Sequence, residues 1–284
     1  MTGILVFGRT GQVATELQAL ADVMALGRAE VDLSNPTACA AAIQAHSPRA
    51  VINAAAYTAV DRAEEEEALA NVINGDAPAA MAKACAALNI PLVHISTDYV
   101  FAGNGRRAWA PDDQTAPPNA YGRSKLAGEI GIRAAGGTYA ILRTSWVFSA
   151  HGSNFVKTML HLSDSRDELS VVDDQIGGPT PARAIAAACL SIEQQLCSNP
   201  SKTGIYHFNG APDVSWCEFA REIFAQAGRA MRVSSISTRD YPTPAARPLN
   251  SRLDCQTTEQ AFGIPRPDWR TGLAETVTEL GITK

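Results

Sequence analysis

No apolar run in these 284 residues approaches the roughly 20 needed to cross a bilayer as a helix, so no membrane partner is expected. No long basic run offsets the net charge of −5, so nucleic acid is not an expected partner either. The six cysteines, at 39, 85, 189, 197, 217 and 255, form no C-x-x-C pair and match no zinc spacing. Cys39, Cys85 and Cys189 sit in alanine-rich apolar runs, where a thiol behaves as a small hydrophobe. That usage suits a reducing, cytoplasmic compartment. The first residues, Met1 to Gly8, lack the basic region and small-residue cleavage site of a signal peptide and read as a β-strand. The chain also lacks internal repeats and low-complexity linkers, and its longest acidic run, Glu64 to Glu67, reads as a solvated helix face.

What is present is an ordinary folding composition, 46 % hydrophobic and 19 % charged, long enough for one large domain or two unequal ones. Short all-apolar runs alternate with alanine-rich helical stretches. Strands are expected at Ile4 to Phe7, Val23 to Leu26, Ala50 to Asn53, Leu92 to Ser96 and Tyr139 to Arg143. Helices are expected at Gln12 to Ala21, Thr37 to Ala45 (opened by Ser34-Asn35-Pro36), Ala77 to Leu88 and Tyr121 to Ala134. This alternation predicts an α/β fold, a Rossmann-type doubly wound parallel sheet. Leu169 to Val172 reads as a further strand and Ala182 to Cys197 as a helix. After Gly204, proline, arginine and aromatic residues become frequent, which predicts a smaller C-terminal α/β substrate region. The expected division is 1–147 for the dinucleotide, with 168–200 returning to it, and 204–284 with 148–167 for the substrate.

The loop Gly8-Arg9-Thr10-Gly11-Gln12-Val13-Ala14 follows the first strand and opens a helix. A pyrophosphate needs close approach to free backbone N–H groups at a helix start, and glycine permits it. The spacing is G-x-x-G-x-x-A; the tighter G-x-G-x-x-G is absent. The second strand ends in Gly27-Arg28 with no carboxylate there, and Arg9 lies in the glycine loop. Two arginines suit a 2′-phosphate, so NADP(H) is favoured over NAD(H), with Asp32 and Leu33 near the adenine.

Tyr121 and Lys125 stand four residues apart, on one face of a helix. A carbonyl that accepts hydride must also gain a proton, and a phenol with a pKa near ~10 is a poor donor–acceptor at neutral pH. A nearby ammonium favours the phenolate. Thr97, in Ser96-Thr97-Asp98-Tyr99 at the end of a strand, completes a Thr–Tyr–Lys set by polarising the same oxygen.

These motifs, in order, resemble the extended short-chain dehydrogenase/reductase family. The resemblance covers nearly the whole chain and includes Asn53 to Asp61, Ser96 to Phe101, Tyr121 to Glu129, Arg143 to Val147, Asp174 to Thr180 and Arg247 to Ser251. Within the family it implies NAD(P)H-dependent reduction of the C4 ketone of a nucleotide-linked deoxysugar, dTDP-4-dehydro-β-L-rhamnose, to dTDP-L-rhamnose. It implies Tyr121 as proton donor, Lys125 as its helper and Thr97 on the reacting oxygen. Asp98 and Trp146 would meet the sugar, with Gln175, Arg247 and Asn250 toward the nucleotide-sugar. Gly11, Gln12 and Val13 would hold the pyrophosphate, and Ala56, Tyr57 and Thr58 the middle of the cofactor. Some members are Mg²⁺-linked dimers built on glutamates, which raises a homodimer here. Glu16 and Glu279 match two of those positions, but Arg183 stands at the third, and no metal is assigned.

Three rivals remain open. A 4,6-dehydratase wants a glutamate after the aspartate, where this chain has Tyr99. A 4-epimerase keeps the Tyr–Lys pair. A non-catalytic regulatory subunit of the methionine adenosyltransferase type shares the fold without needing the intact Thr97, Tyr121 and Lys125.

Overall fold

The structure is a computed structural model that describes residues 2–282. In chain order its elements begin with β1 (Thr2–Phe7), α1 (Gln12–Leu20), β2 (Val23–Leu26), α2 (Pro36–His46) and β3 (Pro48–Asn53). Next come α3 (Glu67–Asn71), a π-helical turn over Val72–Asp76, α4 (Ala77–Leu88), β4 (Leu92–Thr97), α5 (Ala120–Ala135) and β5 (Tyr139–Thr144). The second half adds β6 (Val147–Phe148), α6 (Phe155–Leu162), β7 (Glu168–Val172), β8 (Ile176–Gly177), β9 (Thr180–Pro181) and α7 (Ala182–Ser198). It closes with β10 (Gly204–His207), β11 (Val214–Ser215), α8 (Trp216–Gln226), β12 (Arg232–Ile236), β13 (Asn250–Ser251), α9 (Gln256–Phe262) and α10 (Trp269–Glu279).

Six of the strands form one parallel sheet in the order β10-β5-β4-β3-β1-β2. Its central residues are apolar on both faces because both faces are covered. Leu5 and Val51 point into a core with Ile43 and Met81 of α2 and α4, while Val6 and Ile52 meet Leu17 of α1 and Ile185 of α7. Chain order reverses between β1 and β3, and the register places Phe7 beside both Leu26 and Asn53. The carboxyl ends of these strands therefore open into a crevice, the place where such folds take ligands.

Two assignments from the sequence move. β7 does not join the large sheet; it pairs in parallel with β12, Leu169 opposite Val233. Its residues alternate exposed and buried, the pattern of a half-covered ribbon rather than of a strand buried on both faces. The sixth strand of the sheet is β10, beside β5, with Ile205 opposite Ile141. The expected boundary at 204 thus cuts into the large sheet, and 168–172 belongs with the C-terminal elements. There a separate core gathers Met159 of α6, Val171 of β7, Phe219 and Ile223 of α8, and Trp269 and Leu273 of α10.

Helix α5 carries the catalytic candidates and lies unusually deep. A Cβ on Gly128 would overlap the carbonyl oxygen of Asn74 in the π-turn, and one on Gly131 would come within 2.6 Å of the Ala79 methyl. Glycine at these positions lets α5 seat against α4 and the π-turn. Asn119 caps its start, its side chain accepting from the Gly122 N–H at 2.8 Å.

Candidate active site

A cavity of about 820 Å³ lies over the carboxyl ends of β1 to β5. At its floor the N-terminus of α1 is open. Gly11 is the cap residue and makes no side-chain capping bond, so the first N–H groups of the helix remain free for an anion. Gly8 has φ +113° with Ala54 and Ala14 close by, a backbone that a larger residue would strain. A Cβ on Gly11 would meet no protein atom within 4 Å. The protein's own packing therefore does not demand glycine there, and the clear space over the helix start suits a pyrophosphate.

All the residues assigned from the sequence to the cofactor line this cavity: Gly8, Thr10, Gly11, Gln12 and Val13 at the helix start, Arg28, Asp32 and Leu33 after β2, and Ala56, Tyr57 and Thr58 after β3. Tyr121, Lys125, Thr97, Asp98 and Trp146 line it too. Several are held by bonds that the sequence did not reveal. The Gln12 side chain accepts from Ser149 Oγ (3.0 Å) and Asn154 Nδ2 (2.9 Å), tying the glycine loop to the segment after β6. The Tyr57 N–H donates to Asn74 Oδ1 (2.8 Å), and its hydroxyl to Glu66 (2.7 Å).

One expectation at the end of β2 is overturned. A carboxylate is present there, delivered by Glu30 from three residues farther on. Glu30 Oε2 accepts from the Gly27 N–H at 2.9 Å, and its other oxygen pairs with Arg9. Arg9 also donates to the Ala25 carbonyl at 2.9 Å, and Arg28 pairs with Asp32 at 3.0 Å. The turn Gly27 to Glu30 folds the acid back over Gly27, which spacing along the chain alone could not indicate.

At the catalytic end, the Thr97 hydroxyl donates to Asp98 Oδ1 (3.0 Å) and accepts from the Tyr99 N–H (3.2 Å). Asp98 is 3 % exposed, and its Oδ2 has no hydrogen-bond partner. Burial raises its carboxyl to about 6, against the opposing pull of the Ser251 and Thr97 hydroxyls. Burial also raises the Tyr121 phenol to about 12, although Thr97 lowers it. The anticipated lowering by Lys125 does not appear among the influences on Tyr121. Lys125 turns the other way, donating to the Ile95 carbonyl at 2.7 Å and lying 3.3 Å from His94 Nε2. Burial lowers its ammonium to about 8, and Glu129 opposes that. Tyr121 is thus held as a protonated phenol, the form a proton donor needs.

Glu129, one turn beyond Lys125, does not pair with it. It is bound by Arg143 through Nε (2.9 Å) and Nη2 (2.6 Å), and by Ser96 Oγ (2.6 Å). Sequence reading missed this buried group, along with His94 and Asn53. The signal was a polar residue set in the apolar run of a strand: His94 between Val93 and Ile95 of β4, and Arg143 after Leu142 of β5.

The substrate candidates divide. Trp146 adopts φ +50° and stacks on Trp216 of α8, ring centroids 3.6 Å apart, joining the two regions across the cavity. Gln175, Arg247 and Asn250 do not line the main cavity. Arg247 pairs with Asp61 at 2.6 Å and faces a second cavity of about 760 Å³ with Thr238 and Tyr241. Gln175 bonds Thr238 Oγ1 at 3.1 Å, and Asn250 is consumed by the Asn104 and Arg107 carbonyls and by Arg252. Both lie outside either cavity lining.

The metal expectation can be tested on the residues themselves. Glu16, His151 and Glu279 bring ligand atoms within 4.8 Å of one another. Arg183 Nη1 stands 3.4 Å from Glu16 Oε2, so a fixed cation already serves that carboxylate. Mg²⁺ requires a near-octahedral set of oxygens. A histidine and a guanidinium do not fit that requirement, and no step is assigned to a metal.

Fold and site together define an extended short-chain dehydrogenase/reductase. More narrowly, the chain belongs to the RmlD family, whose model, described as the RmlD substrate binding domain, matches residues 1–282. It is 44 % identical to a dTDP-4-dehydrorhamnose reductase of Sinorhizobium fredii, over 94 % of this chain and 93 % of that protein. The crystal structure of a dTDP-4-dehydrorhamnose reductase from Clostridium acetobutylicum superposes with a TM-score of 0.91 at 35 % identity, covering 99 % of this chain and 100 % of that one. A Bacillus anthracis dTDP-4-dehydrorhamnose reductase, solved in complex with NADP, gives 0.90 at 35 % identity over 98 % of this chain and 100 % of that one.

Proposed function

We propose that the chain is an NAD(P)H-dependent reductase that converts the C4 ketone of dTDP-4-dehydro-β-L-rhamnose to the alcohol of dTDP-L-rhamnose. The observation that carries the reading is the meeting of Thr97, Tyr121 and Lys125 with an open α1 N-terminus in one cavity. The residues fit a dinucleotide: Gly11, Gln12 and Val13 at the pyrophosphate, Ala56 to Thr58 along its middle, and Arg9, Arg28, Asp32 and Leu33 at the adenosine. NADP(H) is the favoured form, since two arginines flank the adenosine end, and Glu30 leaves room for NAD(H).

The bound dihydronicotinamide supplies the hydride. The protein's part is the proton. On substrate binding the Thr97 hydroxyl turns from Asp98 Oδ1 to donate to the ketone oxygen and fixes it beside Tyr121. The Tyr121 O–H bond breaks as the substrate O–H bond forms, leaving a phenolate. Lys125, one helical turn away, supplies positive charge to that phenolate and a donor to the nicotinamide ribose. Asp98 lines the cavity beside Thr97 and meets the sugar, and Trp146 shapes the wall. At position 99 an aromatic ring, 5.5 Å from that of Tyr121, stands where a dehydratase would place its second carboxylate.

The reading includes a cytoplasmic location. Substrate and cofactor are soluble phosphorylated molecules, the six cysteines are free, and among the described residues no helix is long and apolar enough to cross a membrane. The test supplies dTDP-4-keto-6-deoxy-L-sugar and follows NADPH absorbance. Oxidation matched by formation of dTDP-L-rhamnose supports the reading; no oxidation overturns it. A shift in methionine adenosyltransferase kinetics on mixing, without reductase turnover, would favour the regulatory-subunit reading instead.

A further inference from the structure

Behind Lys125 lies a closed polar chain that the proposed chemistry does not use. His94 is fully buried in the middle of β4. Its Nε2 is 3.3 Å from Lys125 Nζ, and its Nδ1 is 3.0 Å from Asn53 Nδ2. Asn53 Oδ1 in turn accepts from the Ala55 N–H at 3.2 Å. The direction of each bond follows from that last one. A backbone N–H only donates, so the oxygen of Asn53 must face Ala55 and its NH₂ must face His94. An NH₂ only donates, so His94 Nδ1 accepts. A neutral imidazole with an accepting Nδ1 carries its proton on Nε2, directed at Lys125. An ammonium there would set N–H against N–H. An amine would accept from it.

We infer that His94, locked by Asn53 as the Nε2–H tautomer, is a positioning residue that lowers the proton affinity of Lys125. The inference rests on Lys125 acting as proposed above, but its test does not depend on the substrate. The titratable groups facing Lys125 are His94 from β4, and Tyr121 and Glu129 from its own helix. Arg143 of β5 lies behind Glu129 and neutralises it. The π-turn presents the neutral Asn74 to this helix, and its Asp76 is exposed. Burial and Lys125 itself hold His94 well below the usual histidine range, so His94 stays neutral while Lys125 titrates. The lysine midpoint sets the alkaline limb of reduction, because the phenolate needs the ammonium beside it and Tyr121 stays protonated to much higher pH.

The chain has only five lysines and five histidines, which makes direct titration practical. Lysine Cε chemical shifts are followed against pH in ¹³C-lysine protein, with Lys125 assigned by its absence in Lys125→Met. His94→Gln places an amide oxygen near the Nε2 position as an acceptor. Asn53→Asp offers an acceptor to Nδ1–H and so turns Nε2 into one. Each variant is expected to raise the Lys125 midpoint by about one pH unit, and to move the alkaline limb of kcat by the same amount. A folded variant whose midpoint stays within about 0.2 of wild type overturns the inference. Should neither variant fold, ¹⁵N-histidine spectra of the wild type decide: an unprotonated Nδ1 on His94 is expected, and a protonated one overturns it. If turnover on the proposed sugar is absent while the midpoint moves, the substrate reading fails and this inference stands.

Discussion

At the catalytic end of the cavity, Glu129 and Arg143 meet with 1 % and 2 % of their side-chain surfaces exposed, whereas beyond β2 Arg28 and Asp32 pair with 81 % and 36 % exposed. Both are ion pairs, yet they perform different tasks. The buried pair is bidentate, joined by the Ser96 hydroxyl, and couples α5 to β4 and β5. Through α5 it fixes where Tyr121 and Lys125 stand relative to Thr97. Its charges cannot relax into water, so its geometry is rigid and its loss is costly. The exposed pair is screened and easily rearranged, and adds little to stability. On the proposed reading its part is to choose between ligands, a phosphate taking the place of Asp32 at little cost. On that reading, rigid polar contacts sit where a proton passes, and exchangeable ones where the cofactor is recognised.

The largest effect is expected at the rigid end. Tyr121→Phe removes the transferable proton and leaves the helix unchanged, so turnover should fall by about 10²–10⁴-fold. Cofactor affinity, measured by titrating protein fluorescence with NADPH, should hold within about twofold, since the lost hydroxyl is asked to serve the ketone. Wild-type turnover in this variant would remove Tyr121 from the mechanism and with it the reason for a rigid end.

The contrast in stability is checked by breaking one member of each pair. Glu129→Gln leaves Arg143 charged, buried and half-satisfied, and should cost about 3–5 kcal/mol in urea unfolding. Arg28→Ala should leave the melting temperature within about 2 °C. Comparable losses in the two variants would erase the distinction.

The rigid end was only partly legible in the sequence. Val23–Leu26 and Ala77–Leu88 have the bounds that periodicity predicts, because local pattern decides element type. The residues lining the main cavity were found through motifs at strand ends, which a parallel sheet gathers at one edge. Pattern does not say which sheet a strand joins, so β7 and β10 were exchanged between regions. Nor does it give the partners of a side chain across the fold. Glu129 stands four residues after Lys125 on the same helix, yet Arg143, 14 residues on, holds it. Asn250 looked like a ligand contact, but loop carbonyls from 104 and 107 occupy its amide. The π-turn left no signal beyond the glycines that accommodate it.

A smaller effect concerns Asp98. Burial lifts its carboxyl from 3.8 to about 6, so the fold favours the neutral acid. The contribution to stability is whole below the unfolded value of 3.8 and is lost as pH rises through about 6. Asp98→Asn imitates the neutral form and should gain on wild type across that window, by at most about 3 kcal/mol at neutral pH. Urea unfolding at pH 4 and pH 7.5 measures this; a difference between the proteins that does not change with pH would mean Asp98 is ionised throughout, and that this part of the rigid end is better solvated than its burial implies.

The smallest effect lies in the exposed pairs beside β2, Arg9–Glu30 and Arg28–Asp32, whose four charges meet one ligand group on the proposed reading. Arg28→Asp removes a cation and adds an anion, and should move the ratio of kcat/KM for NADPH over NADH toward NADH by about tenfold, or 1.4 kcal/mol. Glu30→Gln acts in the opposite sense. It removes the negative charge that holds Arg9, so the ratio should rise, by about threefold because Arg9 remains tied to the Ala25 carbonyl. Both changes should shrink as salt rises, since these side chains are open to solvent. Ratios unchanged in both variants would mean that backbone, not these side chains, reads the adenosine end, and the exposed pairs would lose the role that sets them apart from Glu129 and Arg143.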